Sequence, residues 1–132
     1  MGRRLVRKAW ALLIVCLTLV SAQASPDCRV HRGEHVVLYS TTDDPSVLMW
    51  DSRTRLREYH GASFDEAQAM LPHAVLVSPG THGDVVTCLP GYVVSPLFTS
   101  PDDAVGVTIT SGPLKGIVRW VLGSDVRPRR KN

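Results

Sequence analysis

The chain has 132 residues, with 15 basic and 12 acidic side chains and a formal net charge of +3. A hydrophobic fraction of 44% with 20% charged residues is typical of a globular protein, which argues against wholesale disorder. The length allows one small domain and excludes a two-domain enzyme or a large α/β barrel.

The first 24 residues are typical of a secretion signal, so we predict a signal peptide over 1–24. An uncharged, mostly apolar run of 12 residues over 9–20 follows a basic start, and Ala22-Gln23-Ala24 gives a cleavage site before Ser25. Twelve residues are too few for a spanning helix, which needs ~20. Arg3-Arg4 leaves twin-arginine export open, although its flanking residues favour general secretion. The mature chain is therefore predicted to be exported, either periplasmic or secreted.

Removing the signal changes the charge. It holds 4 basic residues and no acidic ones, so the mature chain carries 11 − 12 = −1, and residues 25–126 carry 7 − 12 = −5. This acidic balance argues against a nucleic-acid partner, because phosphate binding needs a basic surface. Residues 127–132 are predicted to form a basic disordered tail, which makes at most peripheral contact with an anionic membrane. Its charges are Arg127, Arg129, Arg130 and Lys131.

Two cysteines, Cys28 and Cys88, remain after the signal is removed. An even number in an exported chain predicts a disulfide, which would close a loop of 88 − 28 + 1 = 61 residues. Two buried thiols or a redox pair are the alternatives, and the sequence has no Cys-x-x-Cys.

Short runs rich in β-branched and apolar residues predict strands separated by turn residues. These runs cover 35–41, 47–50, 73–77, 83–88, 92–94, 105–109 and 117–122. Residues 53–61 are polar and ambiguous. Ser63 and Glu66 form a capping box that predicts one short helix over about 64–71, ended by Pro72. One helix among many strands predicts a mainly β domain over 25–126, a small β-barrel with this helix inserted.

The stretch VGVTITSGPLKGIVRWVLGSDV, residues 105–126, resembles the C-terminal half of bacterial SH3-like (SH3b-type) domains. Trp120-Val121 takes the place of the family's aromatic-Val pair, while Arg119 departs from the Gly that often precedes it. The resemblance implies an SH3-like barrel. Gly112-Pro-Leu-Lys-Gly116 is also similar to the loop of KOW motifs, which are themselves SH3-like; their RNA-binding versions use a basic surface that this acidic domain lacks.

SH3-like domains often bind peptides or glycan strands in an aromatic groove, which makes Tyr39, Trp50, Tyr92 and Trp120 the candidate ligand-binding residues. The alternative is that Trp50 and Trp120 fill the core. No catalytic motif is present, so the chain is predicted to be no enzyme, with no catalytic residues, cofactor or metal ligands.

Three functions follow from these patterns. The first is an exported SH3-like binding module of the cell envelope, which contacts a peptide, cell-wall glycan (peptidoglycan) or envelope protein. The second is a structural or accessory envelope protein without a ligand groove. The third is a small metal-binding protein or hydrolase. His31 and His35 would suit zinc on a helix, but the strand-like run after Gly33 favours two exposed histidines.

Overall fold

A computed structural model describes residues 27–130, so the predicted signal over 1–24 lies outside the described residues. The predicted mainly β class is confirmed, with seven strands and two α-helices in this part of the chain. In chain order the elements are β1 His35–Leu38, β2 Val47–Met49, α1 Arg53–Gly61, α2 Phe64–Met70, β3 Val75–Val77, β4 His82–Val93, β5 Asp102–Ile109, β6 Val118–Leu122 and β7 Val126–Pro128. Two 3₁₀ turns span Leu71–His73 and Gly123–Asp125.

The strands form two antiparallel sheets. Five strands pair in the order β6-β5-β4-β1-β7, and β2 pairs with β3 in a separate two-stranded sheet. An isolated bridge between Trp50 and Trp120 joins the two sheets. Among residues 27–130 neither sheet closes on itself, so closure into a barrel is not seen.

Strand β4 is longer than the sequence predicted. The run 83–88 and residues 92–93 of the next run belong to one strand of 12 residues. Its pairing with β5 shifts between Val85 and Thr87 and again between Leu89 and Val93. Pro90 and Gly91, the latter with a φ of 61°, lie at the second shift, where a proline and a left-handed glycine interrupt a regular ladder. Because proline and glycine are uncommon inside strands, the sequence suggested two strands where the structure has one.

The main core is a cluster to which all seven strands contribute. Alternation in β5 places Val105, Val107 and Ile109 in this cluster, while Ala104 belongs to a second one. The cluster's buried residues are Val30, Val36, Leu38, Val47, Met49, Val77, Val85, Val105, Val107, Ile109, Val121 and Val126.

The prediction of a single helix was wrong, because the ambiguous residues 53–61 form α1. Ser52 caps this helix by accepting a hydrogen bond from the Arg55 backbone N–H at 3.1 Å, and Leu56 is its buried residue. The predicted capping box of α2 is confirmed, since Ser63 and Glu66 exchange hydrogen bonds between side chain and backbone. Neither helix is long and apolar enough to cross a membrane.

The predicted disulfide between Cys28 and Cys88 is confirmed, with 6.3 Å between the two Cα atoms. It ties the N-terminal segment to β4, next to the buried side chain of Val30. The predicted basic tail over 127–132 overlaps the last strand, and residues 131–132 lie outside the described part of the chain. Arg127 and Pro128 belong to β7, which pairs with β1.

Candidate functional site

A second group of apolar residues lies where α1 packs against β4, β5 and β6, and we call it the helix-side cluster. Ala104 and Leu122 face it, whereas their neighbours Val105 and Val121 face the main core. Because side chains of a strand alternate between its faces, the helix-side cluster covers the opposite face of the sheet. Its buried members are Trp50, Leu56, Val93, Ala104 and Leu122.

Trp50 and Trp120 are opposite each other at the centre of this cluster. Each backbone N–H donates to the other residue's carbonyl, at 2.8 and 2.7 Å. Trp50 has no exposed surface, and its indole Nε1 has no hydrogen-bond partner among the described residues. Trp120 is half-buried and packs on Gly106, where a Cβ would lie 3.3 Å from the indole ring. The missing side chain of Gly106 therefore makes the space that Trp120 occupies.

A row of four rings extends from Trp50 towards the surface, and we call it the aromatic row. The ring centroids of Trp50 and Tyr59 are 4.8 Å apart, those of Tyr59 and His60 5.0 Å, and those of His60 and Phe98 5.4 Å. Helix α1 supplies Tyr59 and His60, and the segment between β4 and β5 supplies Phe98. The row thus connects the buried indole to a loop at the surface.

His60 is neutral at pH 7. Burial lowers the pKa of its imidazole from 6.5 to about 4, and the negative charge of Asp102 offsets part of this effect. The uncharged imidazole contacts the rings of Tyr59 and Phe98 on either side. It adds packing to the aromatic row and no positive charge.

A cleft of about 330 Å³ lies at the outer end of the aromatic row, and we call it the Phe98 cleft. Leu97, with 92% of its surface exposed, provides an apolar edge beside the Phe98 ring. The lining residues are Arg29, Leu97, Phe98, Thr99, Ser100, Pro101, Asp102 and Ser124. Apolar, hydroxyl and charged groups of both signs therefore meet in one small space.

Hydrogen bonds fix the acidic side of the Phe98 cleft. Asp102 Oδ2 accepts from the Ser124 hydroxyl at 2.6 Å and from the Ser124 backbone N–H at 3.3 Å. Asp102 Oδ1 accepts from the Asp103 backbone N–H at 2.7 Å. Because the Ser124 hydroxyl donates directly to a carboxylate, it is not paired with His60 as a nucleophile is with its base.

The structure brings three of the four predicted aromatic residues together. Trp50 is a buried member of the helix-side cluster, and Tyr92 and Trp120 are partly buried against it. Tyr39 lies apart from this cluster, under the Arg127 guanidinium, whose carbon is 3.5 Å from the ring centroid. Ligand binding by these four residues stays a prediction, and the full burial of Trp50 limits it to a supporting role.

Sequence reasoning missed the part of α1 that packs on the sheet and the ring of Phe98 at the outer end of the aromatic row. Leu56, Tyr59 and His60 follow a 3–4 spacing after the capping residue Ser52, a helix signal that was present but weak. Phe98 lies in a loop without such a signal. Its place in the aromatic row is apparent only from its contact with His60 of α1.

One group of possible metal ligands occurs in the described part of the chain. The ligand atoms of Cys28, Cys88 and Asp103 all lie within 4.8 Å of one another. Both sulfurs belong to the disulfide, and metal binding requires thiolates. Asp103 instead accepts a hydrogen bond from the Gly91 backbone N–H at 3.0 Å.

Comparisons with protein-family models, with curated proteins and with solved structures give no match to this chain.

Proposed function

We propose that the protein is an exported SH3-like binding module of the cell envelope that holds a short peptide segment in the Phe98 cleft. The single observation that carries this proposal is the position of Leu97. This large apolar side chain is 92% exposed at the edge of a cleft that also contains an aromatic ring. Exposed apolar surface beside a concave site is typical of a recognition surface.

The charges around the Phe98 cleft favour a peptide over a plain glycan. Arg29 lies on the lining together with the carboxylate of Asp102, so the cleft offers one charge of each sign. A peptide segment with an apolar side chain next to charged or amide groups matches this arrangement. A glycan strand or a folded envelope protein would contact the same apolar edge. The experiment below therefore includes both of these alternative ligands.

The export and SH3-like parts of the proposal rest on other features. A disulfide is characteristic of oxidising compartments outside the cytoplasm, which agrees with the signal-like N-terminus. The β5–β6 hairpin followed by a 3₁₀ turn agrees with the resemblance over residues 105–126. We propose that the two antiparallel sheets of residues 27–130 form an open version of the SH3-like arrangement.

The test is retention of the purified protein on insoluble peptidoglycan and on immobilised envelope extract. Leu97→Ser removes the apolar edge and, since the side chain is exposed, leaves folding unchanged. Leu76→Ser is the matched control, because Leu76 on β3 is 65% exposed and does not line the Phe98 cleft. We expect Leu97→Ser to weaken retention at least about fivefold, the effect of losing about 1 kcal/mol of apolar contact.

Two results would contradict the proposal. One is a native protein that both materials fail to retain. The other is equal retention of the Leu97→Ser and Leu76→Ser variants. Stable co-purification with one protein, unaffected by Leu97→Ser, would instead support the accessory-protein function.

A further inference from the structure

A second cleft, of about 1030 Å³, opens where the turn before β1 meets the end of β7. We call it the arginine cleft. It is lined by Arg32, Gly33, Glu34, His35, Pro128, Arg129 and Arg130. None of these residues lines the Phe98 cleft, so the two surfaces can be tested separately.

The three arginines of this cleft form no ion pair with any of the residues that the structure describes. Within residues 27–130, none of them has a carboxylate oxygen within 4.0 Å. The nearby acids are used elsewhere: the Glu34 carboxylate accepts from the His31 backbone N–H at 3.0 Å, and Asp84 pairs with His35. The lining therefore carries 3 − 1 = +2 with neutral histidine.

This positive charge is local. Residues 27–130 contain 10 basic and 12 acidic side chains, a balance of −2. Because the domain as a whole is negative, an anion would be attracted by this cleft and not by a general basic surface. The cleft favours a small anionic group that fits between the arginines.

Hydrogen bonds hold the backbone of the cleft on both sides. Glu34 donates from its N–H to the His31 carbonyl at 3.0 Å, and this closes a turn with Gly33 at a φ of 87°. The Gly33 N–H donates to Val85 in β4 at 2.8 Å, and the Arg129 N–H donates to His35 in β1 at 2.9 Å. Arg32 and Arg129 thus start from fixed Cα positions, which lowers the entropy lost when their side chains converge on a ligand.

We propose that the arginine cleft binds a phosphate group. Guanidinium groups match phosphate because their N–H donors form paired, charge-assisted hydrogen bonds with its oxygens. Three of them around one cleft can surround a phosphate that carries one or two negative charges. The phosphate belongs either to a soluble molecule or to the headgroup of an anionic phospholipid, and both share this chemistry.

The experiment has two arms. Calorimetry with inorganic phosphate and with pyrophosphate measures binding of a soluble group. Co-sedimentation with phosphatidylcholine vesicles, with and without phosphatidylglycerol, measures binding of a headgroup. We expect saturable binding in at least one arm. Arg32→Gln and Arg129→Gln are each expected to weaken it about tenfold, the usual effect of losing a charge-assisted pair.

Arg53→Gln is the matched control, because it removes the same charge from an exposed position on α1 outside the cleft. The control keeps the native affinity if the site is local. Unchanged thermal unfolding of all three variants shows that they remain folded. The proposal is overturned if neither arm shows saturable binding, or if Arg53→Gln weakens binding as much as Arg32→Gln. Leu97→Ser keeps phosphate binding, which separates this outcome from a failure of the proposed peptide site.

Discussion

Trp120 and Gly106 are cross-strand neighbours, and the indole packs directly on the glycine backbone. A Cβ at residue 106 would lie 3.3 Å from both Cη2 and Cζ2 of the ring. Because Trp120 is also paired with Trp50, this contact sets the position of the aromatic row relative to the sheet. The lack of a Cβ at residue 106 thus leaves room for Trp120 and, through the aromatic row, for the packing of α1.

We therefore expect Gly106→Ala to lower the free energy of unfolding by about 1–2 kcal/mol, the usual cost of overpacking. The displaced indole of Trp120 should become more exposed and shift its fluorescence to longer wavelength. Urea denaturation followed by fluorescence measures both effects. Gly61→Ala is the control, because a Cβ there makes only an ordinary 3.8 Å contact with Val94. Equal stability of the two variants would contradict the packing described.

Gly83 has a tighter environment than Gly106. A Cβ at this position would overlap Cγ1 of Val107 and lie 3.0 Å from the Thr108 carbonyl oxygen, which is backbone. We expect Gly83→Ala to cost about 3 kcal/mol, at the upper end of overpacking effects. Adding Val107→Ala removes part of the overlap, so the double variant should lose less stability than the sum of the two singles. Strict additivity in denaturation experiments would argue against this clash.

The disulfide between Cys28 and Cys88 should contribute about 4 kcal/mol to the free energy of unfolding, from the entropy of a 61-residue loop in the unfolded chain. Urea denaturation of the native protein and of the Cys28→Ser, Cys88→Ser double variant measures this difference. Reductant should destabilise the native protein and leave the double variant unchanged. Free thiols at both Cys28 and Cys88 in protein purified without reductant would refute the bridge.

Because His60 is buried in its neutral form, we expect the free energy of unfolding to fall in acid. Its pKa is 6.5 in the unfolded chain and about 4 in the folded one, so the unfolded chain binds the proton first. The stability is fully present above pH 6.5 and is lost as the pH falls towards 4, by up to about 3 kcal/mol. His60→Phe keeps a ring in the aromatic row and should remove this part of the pH dependence.

Comparing the native protein with His60→Phe at each pH cancels the contribution of other groups. Asp125 is the main one to cancel. Burial raises its pKa above 3.8, so its protonation favours the folded state as the pH falls towards that value. Denaturation curves at pH 7, 6, 5 and 4.5 suffice. Parallel stability profiles of the two proteins would exclude His60 as the acid-sensitive group.

Elements that are determined by residues close together in the sequence could be predicted from it. The β5–β6 hairpin follows from alternating apolar residues around a reversal whose glycines, Gly112 and Gly116, have φ values of 77° and 92°. The capping box of α2 is equally local. Helix α1 was missed because its polar sequence buries only Leu56 fully, and its remaining stability comes from packing against the sheet.

The candidate site was less predictable, because its residues come from distant parts of the chain. Trp50 and Trp120 are 120 − 50 = 70 residues apart, and no local pattern gives the register that pairs them. The contact of His60 with Phe98 depends on how α1 crosses the sheet. The resemblance to SH3-like domains made the aromatic residues candidates, whereas tertiary packing decided which are buried and which line a cleft.

Strand β7 has one further consequence. Among residues 27–130 it forms the outer edge of the five-stranded sheet, and the Arg129 N–H donates inwards to β1. Since successive amides of a strand alternate in direction, the nitrogen of Pro128 faces the open edge, where it has no hydrogen to donate. The charges of Arg127 and Arg129 flank it. A strand from another molecule therefore meets an interrupted ladder at this edge, which protects the sheet against fibrillar self-association.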